Sequence, residues 1–282
     1  MSNEITGNKN CLGCGVGYES KTFLILGVRI NFDHGYCSAC RQKKLDEMLA
    51  QEEACRLAEI AQKRRHWRNN CGIPAKFINK EFGTFEVNKQ PLACKKCFDY
   101  AEKFPLGSAV GYPSLILLGI WGSGKTHLVC SIAHHILNRW NGEEISCPIL
   151  FTTEPDLFRR IQTTYNIPQE EKALRENEND IYNHLIRVPL LILDDIGKEE
   201  RADMRFVQRV LFAIIDGRYR VQLPMVLTTN LSPENLNTYL GGERGSEAIY
   251  DRLVEMSDGK FLQLKGESYR RRGKEMIEGE RK

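Results

Sequence analysis

Three features that would assign a chain to other classes are missing from this sequence of 282 residues. No apolar run approaches the length of a membrane span. The N-terminus, Met1–Gly7, has no basic start followed by an apolar core, so we expect no secretion signal. A formal net charge of +3 is too small to indicate any class of partner by itself.

The ten cysteines lack the spacing of a disulfide framework, and a reducing, cytoplasmic location fits them best. Four of them form two C-x-x-C pairs, Cys11–Cys14 and Cys37–Cys40, on either side of a segment typical of a short hairpin, Lys21–Ile30. Four thiolates on two tight turns predict a closed Zn²⁺ site that stabilises a small module, residues 1–40. A closed site is structural, so we assign it no chemistry. Free thiols or a redox pair are the alternatives.

An apolar run of strand length, Ser114–Leu118, leads into a glycine-rich turn and a helical pattern. The turn has the spacing G-x-x-x-x-G-K-T, the Walker A signature of phosphate-binding loops. Glycines let backbone N–H groups converge on phosphate oxygens, Lys125 would contact the outer phosphates, and Thr126 would hold Mg²⁺. An ordinary glycine turn is the alternative, against which the flanking strand and helix argue. The predicted nucleotide site comprises Gly119, Gly122, Ser123, Gly124, Lys125 and Thr126.

Residues 41–70 have apolar positions at three- and four-residue steps, which predicts one amphipathic helix. The helix ends in a basic and aromatic run, Lys63–Arg68. A DNA or partner contact and a solvated helix end are both open for this run.

Residues 71–110 are predicted to form a linker and a lead-in helix. We expect three of its aromatic residues to pack on the next domain: Phe77, Phe82 and Phe85. Cys94 and Cys97 share one face of the lead-in helix, which favours buried thiols over a third metal-binding pair.

Strand-like and helical patterns alternate from residue 111 to 272, ahead of a charged tail at 273–282. The strand-like runs are Ser114–Leu118, Pro148–Thr153, Pro189–Leu193, Pro224–Thr229 and, weakly, Phe261–Leu264. The helical patterns between them are Lys125–Trp140, Glu154–Tyr165, about Gln169–Ile186, Ala202–Tyr219, Pro233–Leu240 and Ser246–Met256. This alternation predicts an α/β fold, a mostly parallel sheet covered by helices on both faces, after the small zinc module and the long helix. Ligands in such sheets bind at the carboxyl ends of the strands.

The apolar strand at Pro189–Leu193 ends in two carboxylates, Asp194 and Asp195, which is the Walker B pattern. We expect Asp194 to hold Mg²⁺ and Asp195 to polarise the attacking water as a general base. An acidic strand end at the surface is the alternative. Two adjacent carboxylates would repel each other without a cation between them, and this favours the catalytic interpretation.

Three further polar residues are candidates for contact with the transferring phosphoryl group. Asn230 ends a third apolar strand and could hydrogen-bond the γ-phosphate or the water, although asparagine is common at strand ends. Arg252 and Arg270 lie in Tyr-Asp-Arg-Leu and Ser-Tyr-Arg, where no nearby acid evidently needs an arginine. Arginine suits the stabilisation of charge on phosphate, from the same or a neighbouring subunit.

Together these motifs resemble the DnaC/IstB branch of the AAA+ ATPases, over roughly residues 72–272. The branch contains bacterial and phage helicase loaders of the DnaC and DnaI type and transposase helper ATPases. The resemblance implies that Asn230 is sensor 1, Arg252 an arginine finger acting in trans, and Arg270 a sensor-2 arginine.

The resemblance also implies a helix that binds single-stranded DNA, at 154–165. Phe158, Arg159 and Arg160 there combine an aromatic ring with two cations, which can stack a base and hold a phosphate. The alternative, equally open, is that Phe158 only packs this helix onto the domain.

The first hypothesis for function is therefore a Mg²⁺-dependent ATPase that self-associates on ATP binding. It would act on single-stranded DNA and a replicative helicase as a helicase loader. The second hypothesis keeps the ATPase and changes the partner to a transposase. The zinc module is mild evidence against this second hypothesis. A small-molecule P-loop kinase would leave the paired carboxylates unexplained. A zinc-ribbon nucleic-acid binding module would leave the complete ATPase motifs unexplained.

Overall fold

The computed structural model of this protein describes residues 4–25, 28–31, 33–141, 146–165, 175–198, 204–241, 248–265 and 269. The chain divides into two compact units, residues 1–63 and 64–282. No helix in the described part of the chain has both the length and the apolar character that crossing a membrane requires.

The first unit contains a three-stranded antiparallel sheet and most of a long helix. Strands β1 (Glu4–Asn10), β2 (Gly17–Ile25) and β3 (Val28–Asn31) pair in that order, and helix α1 runs from Ser38 to Asn70. The hairpin predicted between the cysteine pairs is present as β2 and β3, whereas β1 was not predicted. Several apolar residues of α1 remain exposed, so its apolar positions do not form a core: Leu45, Met48, Leu49 and Leu57.

The second unit begins with the last turns of α1 and the lead-in segment. Trp67 is buried against Trp140, with ring centroids 4.3 Å apart. Three 3-10 turns follow, at Ala75–Phe77, Phe82–Thr84 and Val87–Lys89, and then α2 (Pro91–Lys103). Phe82 meets the rings of Phe98 and His135, and Phe85 packs edge-on against His127. The predicted packing of Phe82 and Phe85 is therefore confirmed.

A five-stranded parallel sheet organises the rest, in the order β5-β6-β7-β4-β8. Its strands are β4 (Leu115–Gly119), β5 (Ile149–Thr153), β6 (Leu190–Ile196), β7 (Met225–Thr229) and β8 (Phe261–Leu264). All five predicted strands are confirmed, including the weakly patterned β8. β4, β6 and β7 are almost continuously buried, as expected for a parallel sheet covered on both faces.

The helices of this unit fall between the strands, as predicted: α3 (Lys125–Arg139), α4 (Glu154–Thr163), α5 (Glu178–Arg187), α6 (Met204–Arg220), α7 (Pro233–Tyr239) and α8 (Ala248–Met256). The helix predicted over 169–186 begins later, at Glu178. Asn177 caps it by accepting a hydrogen bond from the backbone N–H of Asp180. The earlier part of that prediction, 169–174, lies outside the described residues.

One buried cation anchors the amino ends of the central strands. The guanidinium of Arg218, in α6, donates to the carbonyl groups of Leu185, Ile186, Val188, Pro189 and Pro224. Burial lowers the pKa of Arg218 to about 9. The carbonyl oxygens replace the water that this guanidinium loses, because a buried charge is stable only when it is hydrogen-bonded.

Candidate nucleotide-binding site

The glycine loop joins β4 to α3 at the carboxyl edge of the sheet. Gly124 has φ 102°, which residues with a Cβ rarely adopt. A Cβ on Gly124 would lie 2.9 Å from the ring of Phe85, and one on Gly119 would lie 2.8 Å from the carbonyl oxygen of Leu264. The loop therefore needs glycine at these positions both for conformation and for close approach.

Lys125, the first residue of α3, is almost fully buried below the loop. Its Nζ donates to the carbonyl oxygens of Gly119, at 2.8 Å, and Ile120, at 3.0 Å, and to Oδ1 of Asn230, at 2.7 Å. The structure thus brings together two residues that the sequence predicted separately, because β4 and β7 are neighbours and end at the same edge.

Asp194 lies buried at the end of β6 and is paired with hydroxyl groups. Thr126 Oγ1 donates to Oδ2 at 3.0 Å, and Thr228 Oγ1 donates to Oδ1 at 2.6 Å. Burial and the neighbouring charge of Asp195 raise the pKa of Asp194 to about 6, against the effect of the hydroxyl donors and Lys125. A hydroxyl and a carboxylate at this separation form a donor set suited to Mg²⁺. The sequence analysis did not predict Thr228 as a residue of this site. The sequence pattern that could have indicated it is the Thr-Thr pair before Asn230.

Asp195 lies inside β6, one residue before the strand ends, and has a left-handed backbone conformation with φ 62°. The pairing register between β6 and β7 shifts between Leu193 and Ile196, so Asp195 lies at an irregularity in the ladder. Its N–H donates to Thr228 Oγ1 at 2.9 Å, and its Oδ2 accepts from Lys198 Nζ at 2.5 Å. Lys198 was also missed, because a lysine after a Walker B strand has no distinctive pattern.

Lys125 and Thr126 face a cavity of about 360 Å³, a size typical of small-ligand sites. Asp194 is not among the lining residues and contacts the site through the hydroxyl group of Thr126. Residues from the loop, including Ser123 and the exposed Trp121, form one wall, with Asp195, Lys198 and Asn230 beside them. The opposite wall comes from the lead-in segment and from Tyr269: Lys76, Phe77, Lys80, Thr84, Phe85, Glu86 and Tyr269. Of these residues, Phe77 and Phe85 were predicted to pack on the domain, and none was predicted to line its site.

Arg252 lies in α8 and is not among the described residues that line this cavity. It forms an ion pair with Asp216, a largely buried residue of α6, and lies over the ring of Tyr219 at 5.4 Å. The expectation that Arg252 has no nearby acid was therefore wrong. The partner was missed because it comes from another helix. Arg270 lies outside the described residues.

Helix α4 carries the three residues considered for DNA binding. Phe158 is fully buried and packs edge-on against Phe206. It has no exposed face on which a base could stack, and this favours the packing alternative. Arg159 is exposed and pairs with Asp156, while Arg160 pairs with Glu176. Both cations are therefore paired with carboxylates at this surface, and the aromatic ring is buried.

The four cysteines of the first unit converge, with all four Sγ atoms within 4.8 Å of one another: Cys11, Cys14, Cys37 and Cys40. The backbone N–H of Cys37 donates to Cys11 Sγ and lowers the pKa of that thiol to about 6. This favours the thiolate, the form that binds metal, at Cys11, whereas hydrogen bonds with the other three thiols raise the pKa of Cys40 to about 12. Cys94 and Cys97 are buried, as predicted, and burial raises the pKa of Cys97.

The parallel sheet, the glycine loop and the carboxylates at the end of β6 define a P-loop ATPase. Within this class, the chain belongs to the family of IstB-like ATP binding proteins, whose family model matches residues 38–276. The match extends beyond residues 72–272, on which the resemblance in sequence rested.

Two relatives and two solved structures illustrate the similarity. A Geobacillus stearothermophilus protein, named for ATP binding and for the insertion sequence IS5376, is 28% identical over 205 residues, 72% of each chain. Protein XkdC of the phage-like element PBSX of Bacillus subtilis (strain 168) is 25% identical over 199 residues, covering 67% of this chain and 65% of XkdC. This chain therefore spans slightly less than two thirds of XkdC.

The two crystal structures, titled as DnaI and as the DnaC helicase loader, share the fold with TM-scores of 0.54 and 0.51. Each is 22% identical and covers 68% of this chain, with 94% of the DnaI chain and 100% of the DnaC chain matched.

Proposed function

We propose that this ATPase is a helicase loader, which acts on single-stranded DNA and a replicative helicase. The observation that carries the ATPase part is the convergence of Lys125, Thr126, Asp195 and Asn230 on one cavity, with Asp194 hydrogen-bonded to Thr126. The choice of partner rests on the likeness of the fold to the DnaC helicase loader and on the N-terminal cysteine cluster.

In this proposal the phosphates of ATP lie in the glycine loop, with Lys125 on the outer phosphates. Thr126 and Asp194 hold Mg²⁺, which neutralises charge that develops on the phosphate oxygens. Asp195 orients the attacking water and accepts its proton, and the amide of Asn230 hydrogen-bonds the γ-phosphate or that water. ATP binding assembles subunits, so that Arg252 of one completes the site of the next.

A transposase helper ATPase is the second candidate, and the relative named for insertion sequence IS5376 favours it. The partner can be tested directly with the Asp195→Asn variant, which should retain ATP and so stay assembled. We would measure how much of a purified replicative helicase and of a transposase from the same genome this variant retains with ATP and with ADP. ATP-dependent retention of the helicase supports the proposal. Retention of the transposase alone would support the second candidate.

We propose that the cysteine cluster holds one structural Zn²⁺ per chain. Cys37→Ser should lose the metal, because three thiolates no longer complete a tetrahedral site. Metal analysis by mass spectrometry checks this, with Cys94→Ser as a control that removes a thiol from α2 and should keep the zinc. If Cys94→Ser lost the zinc and Cys37→Ser kept it, the zinc ligands would have to lie in α2 instead.

Single-stranded DNA should bind more tightly with ATP than without it, because assembly aligns the α4 helices of several subunits. Each phosphate contact contributes about 0.7 to the slope of log affinity against log salt. Replacing both Arg159 and Arg160 with alanine should therefore reduce the slope by about 1.4. Arg56→Ala is the control, since Arg56 is also exposed and paired with an acid three residues away. An unchanged slope in the double variant would give these arginines no role in DNA binding.

A further inference from the structure

A second carboxylate, Glu154, reaches the loop that follows Asp195. Glu154 is the first residue of α4, directly after β5, and its side chain is fully buried. Its Oε2 accepts from the backbone N–H groups of Gly197, at 3.0 Å, and Lys198, at 3.2 Å. Its Oε1 accepts from the hydroxyl group of Tyr239, at 2.9 Å. Burial of a carboxylate is costly, and these three donors offset that cost.

The segment that Glu154 holds has little freedom to adopt another shape. Asp195 has φ 62° and Gly197 has φ 84°, so the chain turns sharply twice within three residues. A Cβ on Gly197 would lie 2.4 Å from the side chain of Leu231, so this backbone is also closely packed. Thr228 fixes the segment at the N–H of Asp195, and Glu154 fixes it two and three residues later. The Asp195 carboxylate thus projects from a turn that is held at both ends.

Lys198 connects the two carboxylates. Its backbone N–H donates to Glu154, and its ammonium group forms the ion pair with Asp195. A loss of the Glu154 contact would release the backbone of Lys198 and, with it, the cation that holds Asp195 in the cavity.

We propose that Glu154 is a positioning residue for ATP hydrolysis, acting through the Gly197–Lys198 backbone on the Asp195 carboxylate. The inference rests on the proposed role of Asp195 as the general base. Its effect is on the rate of the chemical step rather than on nucleotide affinity, because Glu154 does not line the cavity. Misplacement of a catalytic group by about 1 Å can cost about 10²-fold in rate.

The test compares Glu154→Ala, Glu154→Gln and Tyr239→Phe in the full chain, with kcat and KM for ATP measured for each. We expect Glu154→Ala to lower kcat about 10²-fold and to change KM by less than about threefold. Glu154→Gln should recover most of kcat, since its amide oxygen can accept both N–H groups and Tyr239 can turn its hydroxyl group. A matched control is Glu178 in α5, which accepts from Tyr182 at 3.1 Å; Glu178→Ala should keep the normal rate.

A second comparison separates positioning from a general loss of structure. If Glu154 acts through Asp195, adding Glu154→Ala to Asp195→Asn should lower kcat no further than Asp195→Asn alone. The inference would be overturned if the double variant lost kcat by the product of the two single losses. It would also be overturned if Glu154→Ala changed only KM, or if Glu154→Gln were as impaired as Glu154→Ala. If Glu154→Ala does not fold, the Tyr239→Phe variant tests the inference instead. It removes the hydrogen bond that the Tyr239 hydroxyl group donates to Glu154 and should lower kcat several-fold, and an unchanged kcat would overturn the inference.

The outcome also distinguishes this inference from the proposed function. A normal rate for Asp195→Asn would remove the general base on which both depend. A slow Asp195→Asn together with a normal Glu154→Ala would overturn the inference alone.

Discussion

Replacing Arg252 with alanine is expected to leave ATP binding nearly unchanged and to slow hydrolysis by about 10³-fold or more. Arg252 does not line the cavity of its own chain, so its removal should spare the nucleotide contacts there. Its guanidinium is always charged, so in the proposed role it would stabilise a transition state without a protonation step. Asp216 and the ring of Tyr219 hold the side chain in place, which is the preorganisation that such a role needs.

Arg220→Ala is the matched control for Arg252, because Arg220 pairs with the same Asp216, at 2.8 Å, and is largely exposed. It should hydrolyse ATP at the normal rate. If Arg220→Ala were equally slow, the arginines would act through Asp216 and the stability of α6, not on phosphate.

Mixing Arg252→Ala with Asp195→Asn tests whether Arg252 acts on a neighbouring subunit. Mixed interfaces would pair an intact Asp195 site with an intact Arg252, so part of the activity should return. The measurement is the ATPase rate as a function of mixing ratio, in samples whose co-assembly is verified by light scattering. No recovery in co-assembled samples would make Arg252 a same-chain or structural residue.

Lys125→Ala and Asp195→Asn should fail at different steps of the same reaction. Lys125→Ala removes a charge from the phosphate site and should weaken ATP binding strongly. Asp195→Asn keeps the shape of the side chain and loses the base. ATP should therefore bind and persist, with hydrolysis slower by about 10²–10⁴-fold. Nucleotide titration and single-turnover hydrolysis measure the two effects separately.

Asp258→Asn is a close control for Asp195→Asn. Asp258 is also an aspartate with positive φ, 52°, and it pairs with a lysine, Lys260, away from the nucleotide cavity. The control separates the loss of a base from the general effect of an amide in a left-handed turn. Hydrolysis at the normal rate by Asp195→Asn would refute its assignment as the base.

Much of the fold could be predicted because the pattern of each element is local. The five strands are short apolar runs, and the glycine loop has a fixed spacing that only a few residues define. Parallel strands also place their carboxyl ends at one edge, so the convergence of Lys125, Asp194 and Asn230 could be expected. Zinc ligation could be proposed for the same reason, since two C-x-x-C pairs are a local pattern.

The remaining features depend on which elements become neighbours. Glu154 meets the Asp195 turn only because β5 lies beside β6, and nothing in Glu-Pro-Asp-Leu-Phe indicates a buried carboxylate. Asp216 lies in a different helix from Arg252, far away in sequence. Phe158 shows the same limit, because helical spacing alone could not decide whether its ring faces solvent or the core.

The carbonyl groups that accept hydrogen bonds from Arg218 belong to three separate segments of the chain. These are the end of α5, the residues just before β6 and the residue just before β7. Each stretch can move only by uncovering carbonyl groups in an apolar interior, so the three must unfold together. This end of the sheet therefore behaves as one cooperative unit.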